Sequence, residues 1–148
     1  VMLADAFNFL KEERRIFKAI VLNDVIEHIA KKRILELLIL CFNALESGGK
    51  LFIKTPNMSN PINLRSRYMD FTHEIGFTEH SLAEILYIAG FRNIYLFGEE
   101  VPILSIKSCV RKLAKSIIHS GLKLMFILQD IPPPKILDKN IIAVADKP

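Results

Sequence analysis

Cysteine is scarce in this chain of 148 residues: Cys41 and Cys109 are far apart and neither belongs to a C-x-x-C pair. That argues against a zinc knuckle or a dithiol redox motif and leaves two buried or free thiols, as expected in a reducing cytoplasm. Long apolar runs are missing too. The chain is 51% hydrophobic with a mean hydropathy of +0.28, yet its longest stretches, such as Leu37 to Phe42, fall far below the roughly 20 residues that span a bilayer. No transmembrane helix is expected. The opening Val1-Met2-Leu3-Ala4-Asp5 has neither a charged leader nor a signal-length apolar stretch, so no targeting segment is expected either. There is no internal repeat or low-complexity tract, and the excess charge is small. A net charge of +4 with a pI near 9.1 suits anionic partners without making nucleic acid an expected one.

What remains is one domain's worth of chain, long enough to bury roughly two thirds of its unfolded surface. Its centre is Lys18 to Ile29, K-A-I-V-L-N-D-V-I-E-H-I. Ala19 to Leu22 is an apolar run short enough for a strand buried on both faces, and it stops at Asn23, Asp24, Glu27 and His28. Polar groups gather where the strand ends, which is where open parallel sheets bind ligands. Upstream, Val1 to Leu3 reads as the tail of a strand ending at Ala4-Asp5-Ala6, with Phe7 to Glu13 a short helical or loop connection. Ile29 to Leu45 reads as a helix, apolar nearly all round and ended by Ser47-Gly48-Gly49. Lys50 to Thr55 follows as a strand stopped by Pro56-Asn57. Strand, helix, strand makes a βαβ unit, hence a parallel sheet.

Met58 to Thr78 is too long for an ordinary connection and carries Arg65, Arg67, Tyr68, Asp70, Thr72, His73 and Glu74, the profile of a substrate loop. Arg65, Arg67 and Tyr68 suit an anionic or aromatic acceptor; a solvated loop is the competing reading. Thr78 caps a helix from Glu79 to Ala89, with Gly90 just beyond. Phe91 to Phe97 is a strand candidate. Ile103 to Leu128 has a helical pattern with Gly121 as its expected kink. One stripe is Ile106, Val110, Leu113 and Ile117; the other is Lys107, Arg111, Lys115 and His119. The basic stripe can lie on anionic lipid, giving a peripheral membrane contact through residues 103–128, or be a solvated face over a packed one. Pro132 to Pro134 is extended, and Asn140 to Ala145 reads as a last buried strand.

Asp24, Glu27 and His28 form D-x-x-E-H. At the start of a helix, positions i, i+3 and i+4 share a face, so these side chains can converge. Two carboxylates and an imidazole brought together repel or desolvate one another unless a cation or a proton intervenes.

Taken in order, Ala4-Asp5-Ala6, N-D-V-I-E-H, E-S-G-G-K-L-F-I-K-T-P-N, F-T-E-H-S-L-A-E-I-L-Y-I-A-G-F and the final N-I-I-A-V-A-D-K-P resemble a class I S-adenosylmethionine-dependent methyltransferase. Within that superfamily the E-H block resembles the ubiquinone-biosynthesis O-methyltransferases and the small-RNA 3′-terminal 2′-O-methyltransferases. The resemblance implies an α/β fold: a Rossmann-like, doubly wound, mostly parallel sheet with an antiparallel last strand. It also implies Asp5 on the adenine amino group, Ala6 and Phe7 lining the ring, and Asn23 and Asp24 near the methionine part of S-adenosylmethionine. In the small-RNA enzymes an E-x-x-E-H block and a later histidine hold a divalent ion. Here His73, in T-H-E-I-G-F-T, is the matching fourth ligand beside Asp24, Glu27 and His28, for Mg²⁺ or Mn²⁺. The alternatives are His28 as a general base without metal, or Glu27 and His28 bracing the long loop.

The family's G-x-G-x-G cofactor loop is absent, and none of the six glycines makes one. The fold is therefore expected to be incomplete at the N-terminus, Val1 falling near the family's third strand. Residues 1–57 are expected to be a core βαβ unit, 58–78 a substrate loop and 79–148 the closing helices and strands of a single domain. The expected function is methyl transfer to oxygen of a small-molecule acceptor by a longer enzyme, this chain alone binding the cofactor weakly or not at all. A non-catalytic remnant or interaction module is the rival.

Overall fold

The computed structural model describes residues 3–12, 16–99, 102 and 104–148. Helix α1 spans Ala6–Glu12 and strand β1 spans Phe17–Asn23. A single 3₁₀ turn at Ile26–His28 separates β1 from helix α2, Lys31–Ala44. Strand β2 runs from Leu45 to Pro56, a second 3₁₀ turn covers Pro61–Asn63, and helices α3 and α4 occupy Leu64–Met69 and Glu79–Ile88. Strand β3 (Arg92–Gly98), the long helix α5 (Ile106–Leu128) and strand β4 (Asn140–Asp146) complete the described elements.

The four strands form one sheet in the order β1-β2-β4-β3. β1 and β2 are parallel, as a βαβ unit requires, and β4 inserts antiparallel between β2 and β3. The Rossmann-like α/β architecture with an antiparallel last strand is thus present. One sheet face carries Leu22, Leu51, Ile53, Ile141, Ala143 and Ala145. It forms the core with Ile34, Leu37, Leu38 and Cys41 of α2 and Leu82 and Leu86 of α4. Burial pushes the Cys41 thiol up to about 12, as expected for a thiolate with no water around it.

Several local expectations shift. Leu3 precedes any regular structure, and the rest of the expected first strand, Val1 and Met2, lies outside the described residues, as does Glu13. β1 is buried on one face only: Leu22 is buried while Ala19 and Val21 are exposed. α2 starts two residues late, because the 3₁₀ turn takes up the E-H block. It also ends without a glycine cap: Leu45 goes straight to extended backbone. Gly48, at φ +77°, instead sits inside β2, where the β1–β2 register jumps from Phe17↔Leu45 to Ala19↔Lys50. α4 begins as expected, with a reciprocal capping box between Thr78 and Ser81. α5 starts at Ile106, Ile103 lying outside the described residues, and continues as one helix through Gly121. No described helix is long and apolar enough to cross a membrane.

Candidate functional site

Because β1 and β2 are parallel, their carboxyl ends share one edge, and the polar residues of the D-x-x-E-H block sit beside it. The chain leaves β1 through Asp24, whose φ of +52° is a left-handed turn that an aspartate tolerates. It then forms the 3₁₀ turn, in which Glu27 is buried at 2% exposure. Glu27 is held from two sides. Its carbonyl accepts from the Glu74 and Ile75 amides at 2.8 and 3.2 Å. Its Oε2 accepts from Thr55 Oγ1, at the end of β2, at 3.1 Å. Oε1 has no hydrogen-bond partner among the described residues although it is fully buried. A buried carboxylate oxygen left open is costly unless something charged or donating meets it.

His28 and His73 converge on the Glu27 carboxylate. Their rings lie 4.6 Å apart between centroids, and one ligand atom from each of Glu27, His28 and His73 lies within 4.8 Å of the others. The network fixes which nitrogens are open. Thr72 Oγ1 gives its one hydrogen to Asp70 Oδ1 at 2.6 Å, so it can only accept from His28 Nδ1 at 2.8 Å. His73 Nδ1 lies 3.0 Å from the Ser66 carbonyl, which can only accept. Both histidines therefore carry a bare Nε2 lone pair when neutral, that of His73 lying 4.0 Å from Asp70 Oδ2, the arrangement by which outer-sphere partners orient metal-ligating or proton-accepting imidazoles. The Asp70 carboxyl is held below its ordinary range, first by the Thr72 hydroxyl, then by the Thr72 amide, with a smaller contribution from the two histidines.

The loop that brings His73 back to the β1 edge is tied at several points. Arg67 donates through Nη1 to the His73 carbonyl and through Nη2 to the Glu74 carbonyl, the latter at 2.9 Å. Asn57 bridges to Phe77, and Met58 N bonds the Phe77 carbonyl at 2.8 Å. Gly76 passes so close to Met58 that a Cβ would lie 2.3 Å from its Cγ. On the other side, Asn57, Asn60 and Asn63 are buried and donate to the carbonyls of residues 136–139 just before β4.

The expected site residues thus divide. Glu27, His28 and His73 come together. Asp24 does not join them: it is exposed, accepts from Asn23 Nδ2 at 3.2 Å and pairs with Lys54 Nζ at 3.5 Å. It is not in the helix that the i, i+3 argument needed, so the structure brings only three of the four expected ligands together. Asn23, exposed, stays beside Asp24 at the end of β1. Asp5 uses Oδ1 to accept from the Asn8 amide at 3.0 Å, capping α1, and Ala6 opens that helix. Phe7 is a core residue with the Arg33 guanidinium 3.5 Å over its ring. Of the expected substrate contacts, Arg67 is committed to the loop carbonyls, while Arg65 leans on Met69 Sδ and Tyr68 is largely exposed. Asp70 and Thr72 were named from sequence as part of the substrate loop without a role, and Thr55 and the Ser66 carbonyl were not singled out. The D-x-T spacing, in which an aspartate accepts from the amide and hydroxyl of the threonine two residues on, is the signal for Asp70 and Thr72; that Thr72 meets the distant His28 has no sequence signal.

The Methyltransferase domain family model matches residues 3–96, the span that contains all of these groups. The chain belongs to this methyltransferase family. No curated protein matches it in sequence. Among solved structures, the domain resembles a SAM-dependent methyltransferase from Archaeoglobus fulgidus with 23% identity and a TM-score of 0.71, covering 99% of this chain and 66% of that one. A possible histamine N-methyltransferase from Thermotoga maritima is similar at 10% identity and TM-score 0.58, with 94% and 61% covered. A small RNA methyltransferase is similar at 14% identity and TM-score 0.54, with 93% of this chain and 14% of that chain covered. The methyltransferase domain described here spans less than two thirds of the length of each. The family model makes the chain a methyltransferase domain, and the solved structures share its fold.

Proposed function

We propose that this methyltransferase domain carries the acceptor side of an S-adenosylmethionine-dependent O-methyltransferase for a small molecule, and that it acts as part of a longer enzyme. The observation that carries the reading is the convergence of a buried carboxylate, Glu27, with two imidazoles, His28 and His73, one ligand atom of each lying within 4.8 Å of the others. In such a transfer the acceptor oxygen attacks the sulfonium methyl. The sulfur–methyl bond breaks to leave S-adenosylhomocysteine, and the hydroxyl proton needs a base. His28 Nε2, oriented by Thr72, is suited to take it.

The same three groups fit a divalent cation. One carboxylate and two imidazoles favour Mn²⁺ over Mg²⁺, which prefers oxygen ligands alone. Such an ion, when bound, lowers the pKa of an acceptor hydroxyl and fixes its direction of attack. Toward the cofactor the fit is partial. Asp5 and the end of β1 are present, but no glycine-rich loop is, and the outer edge of β1 is unpaired among the described residues. That supports a longer parent; it equally favours a second reading, a remnant that kept the fold without binding the cofactor.

Calorimetric titration separates these. Mn²⁺ should bind this chain and fail to bind His73→Ala; absence of any Mn²⁺ binding removes the metal and leaves His28 as base. S-adenosylhomocysteine binding at micromolar concentration to this chain alone would contradict the longer-enzyme reading. A longer parent that binds S-adenosylhomocysteine no better would favour the remnant.

A further inference from the structure

The long helix α5 is turned the wrong way round for a helix of a globular domain. At about 100° per residue, Ile106, Val110, Leu113, Ile117, Leu124 and Leu128 fall within an arc of about 60°, an apolar stripe that ordinarily faces the core. In this structure no residue of α5 is buried. Leu113, Ile117 and Leu128 are 64%, 66% and 76% exposed. It is the polar side that meets the domain, through the ion pair of Lys115 with Asp138, with His119 partly desolvated there.

The charge distribution says what the stripe is for. Residues 106–128 hold five cations, Lys107, Arg111, Lys112, Lys115 and Lys123, and no acidic residue. The net charge of the whole chain is +4, so the rest of the chain is slightly acidic and the entire positive excess lies in this helix. Lys107 flanks the apolar stripe on one side, while Lys112 and Lys123 lie further round the other side, lining a pocket with Lys115, His119 and Asp138. We propose that α5 is a docking surface for an anionic phospholipid bilayer, lying in the interface plane with its apolar stripe among the acyl chains and the flanking cations at the headgroups. Covering the stripe with the same helix of a second copy would bring ten cations together, offset only by the Asp138 partner of each Lys115. A nucleic acid would meet the charge and leave the stripe in water. An anionic lipid surface satisfies both, and at 23 residues, or about 34 Å, the helix offers a continuous seam without crossing the membrane.

The test is co-sedimentation of the full chain with vesicles of phosphatidylcholine alone and of phosphatidylcholine with about 30% phosphatidylserine, at about 0.1 M and about 0.5 M salt. The expected result is binding to the anionic vesicles at least about tenfold tighter than to the neutral ones, weakened by salt. Leu113→Ser combined with Ile117→Ser should lower that binding by roughly a hundredfold. Both side chains point away from the domain, so circular dichroism should be unchanged. Equal sedimentation with the two vesicle types, binding that survives the double substitution, or no binding to either would overturn the proposal. So would a dimer in light scattering, without vesicle binding, that the same double substitution disperses; that outcome would assign the stripe to a second copy.

Discussion

Glu27 is held in a position that costs the fold. Its carboxylate is buried with one hydrogen bond, from Thr55, and one oxygen left open. Glutamine keeps the shape and the acceptor for Thr55 while removing the charge. Glu27→Gln should therefore raise the unfolding free energy in metal-free buffer, by about 1 kcal/mol, and at the same time abolish Mn²⁺ binding. Denaturant melts with and without Mn²⁺ check both; a large loss of stability would mean that the carboxylate is a structural brace. Thr72 is the complementary case, touching no ligand but ordering His28 through its hydrogen bond to Asp70. Thr72→Val should weaken Mn²⁺ roughly 10- to 100-fold with little change in melting, since the residue is exposed. The thiols give a simpler contrast: in the native chain iodoacetamide should modify exposed Cys109 and leave Cys41 untouched until the chain unfolds. Cys41 reacting at the same rate would place the α2 core in solvent. At this scale the identities in the E-H block and His73 were legible, because residue types that do chemistry stand out in an apolar chain. That Asp24 stands apart from them was not: it is turned away by a backbone twist of φ +52°, which no side-chain pattern reports.

Among the elements, those specified by local chemistry were legible and those specified by neighbours were not. The Thr78 cap of α4 is written in T-E-H-S, and the structure forms the box with Ser81. Thr78→Ala should cost about 1 kcal/mol, read as a drop in the denaturant midpoint at unchanged slope. Gly48-Gly49, by contrast, resembles a helix stop and is instead an irregularity inside β2. The chain could be placed there only by knowing that Lys147 pairs across the sheet with both glycines. The periodicity of α5 was legible as a helix, but its orientation was not. An apolar stripe in a sequence says that something covers it, and says nothing about whether that cover is the same domain.

For the molecule as a whole, the sheet order decides where stability resides. β2 and β4 are paired on both sides, whereas β1 and β3 each have one partner among the described residues. Amides of β2 and β4 should therefore open only with global unfolding. In parallel β1, the amides aimed at β2 should be protected and the alternating ones aimed away should exchange within seconds. That comb-like pattern, read by NMR hydrogen exchange along Phe17 to Asn23, also bears on the proposed longer enzyme. A parent that continues the sheet past β1 would fill the gaps in the comb and bury Val21, now 66% exposed on the sheet face away from α2. Uniform protection in this chain alone would mean that β1 finds its second partner in solution, most directly in the β1 of another copy, the known hazard of an open parallel edge. In that event Val21→Lys, which leaves the buried face untouched, should restore the alternation by placing like charges across the new pairing.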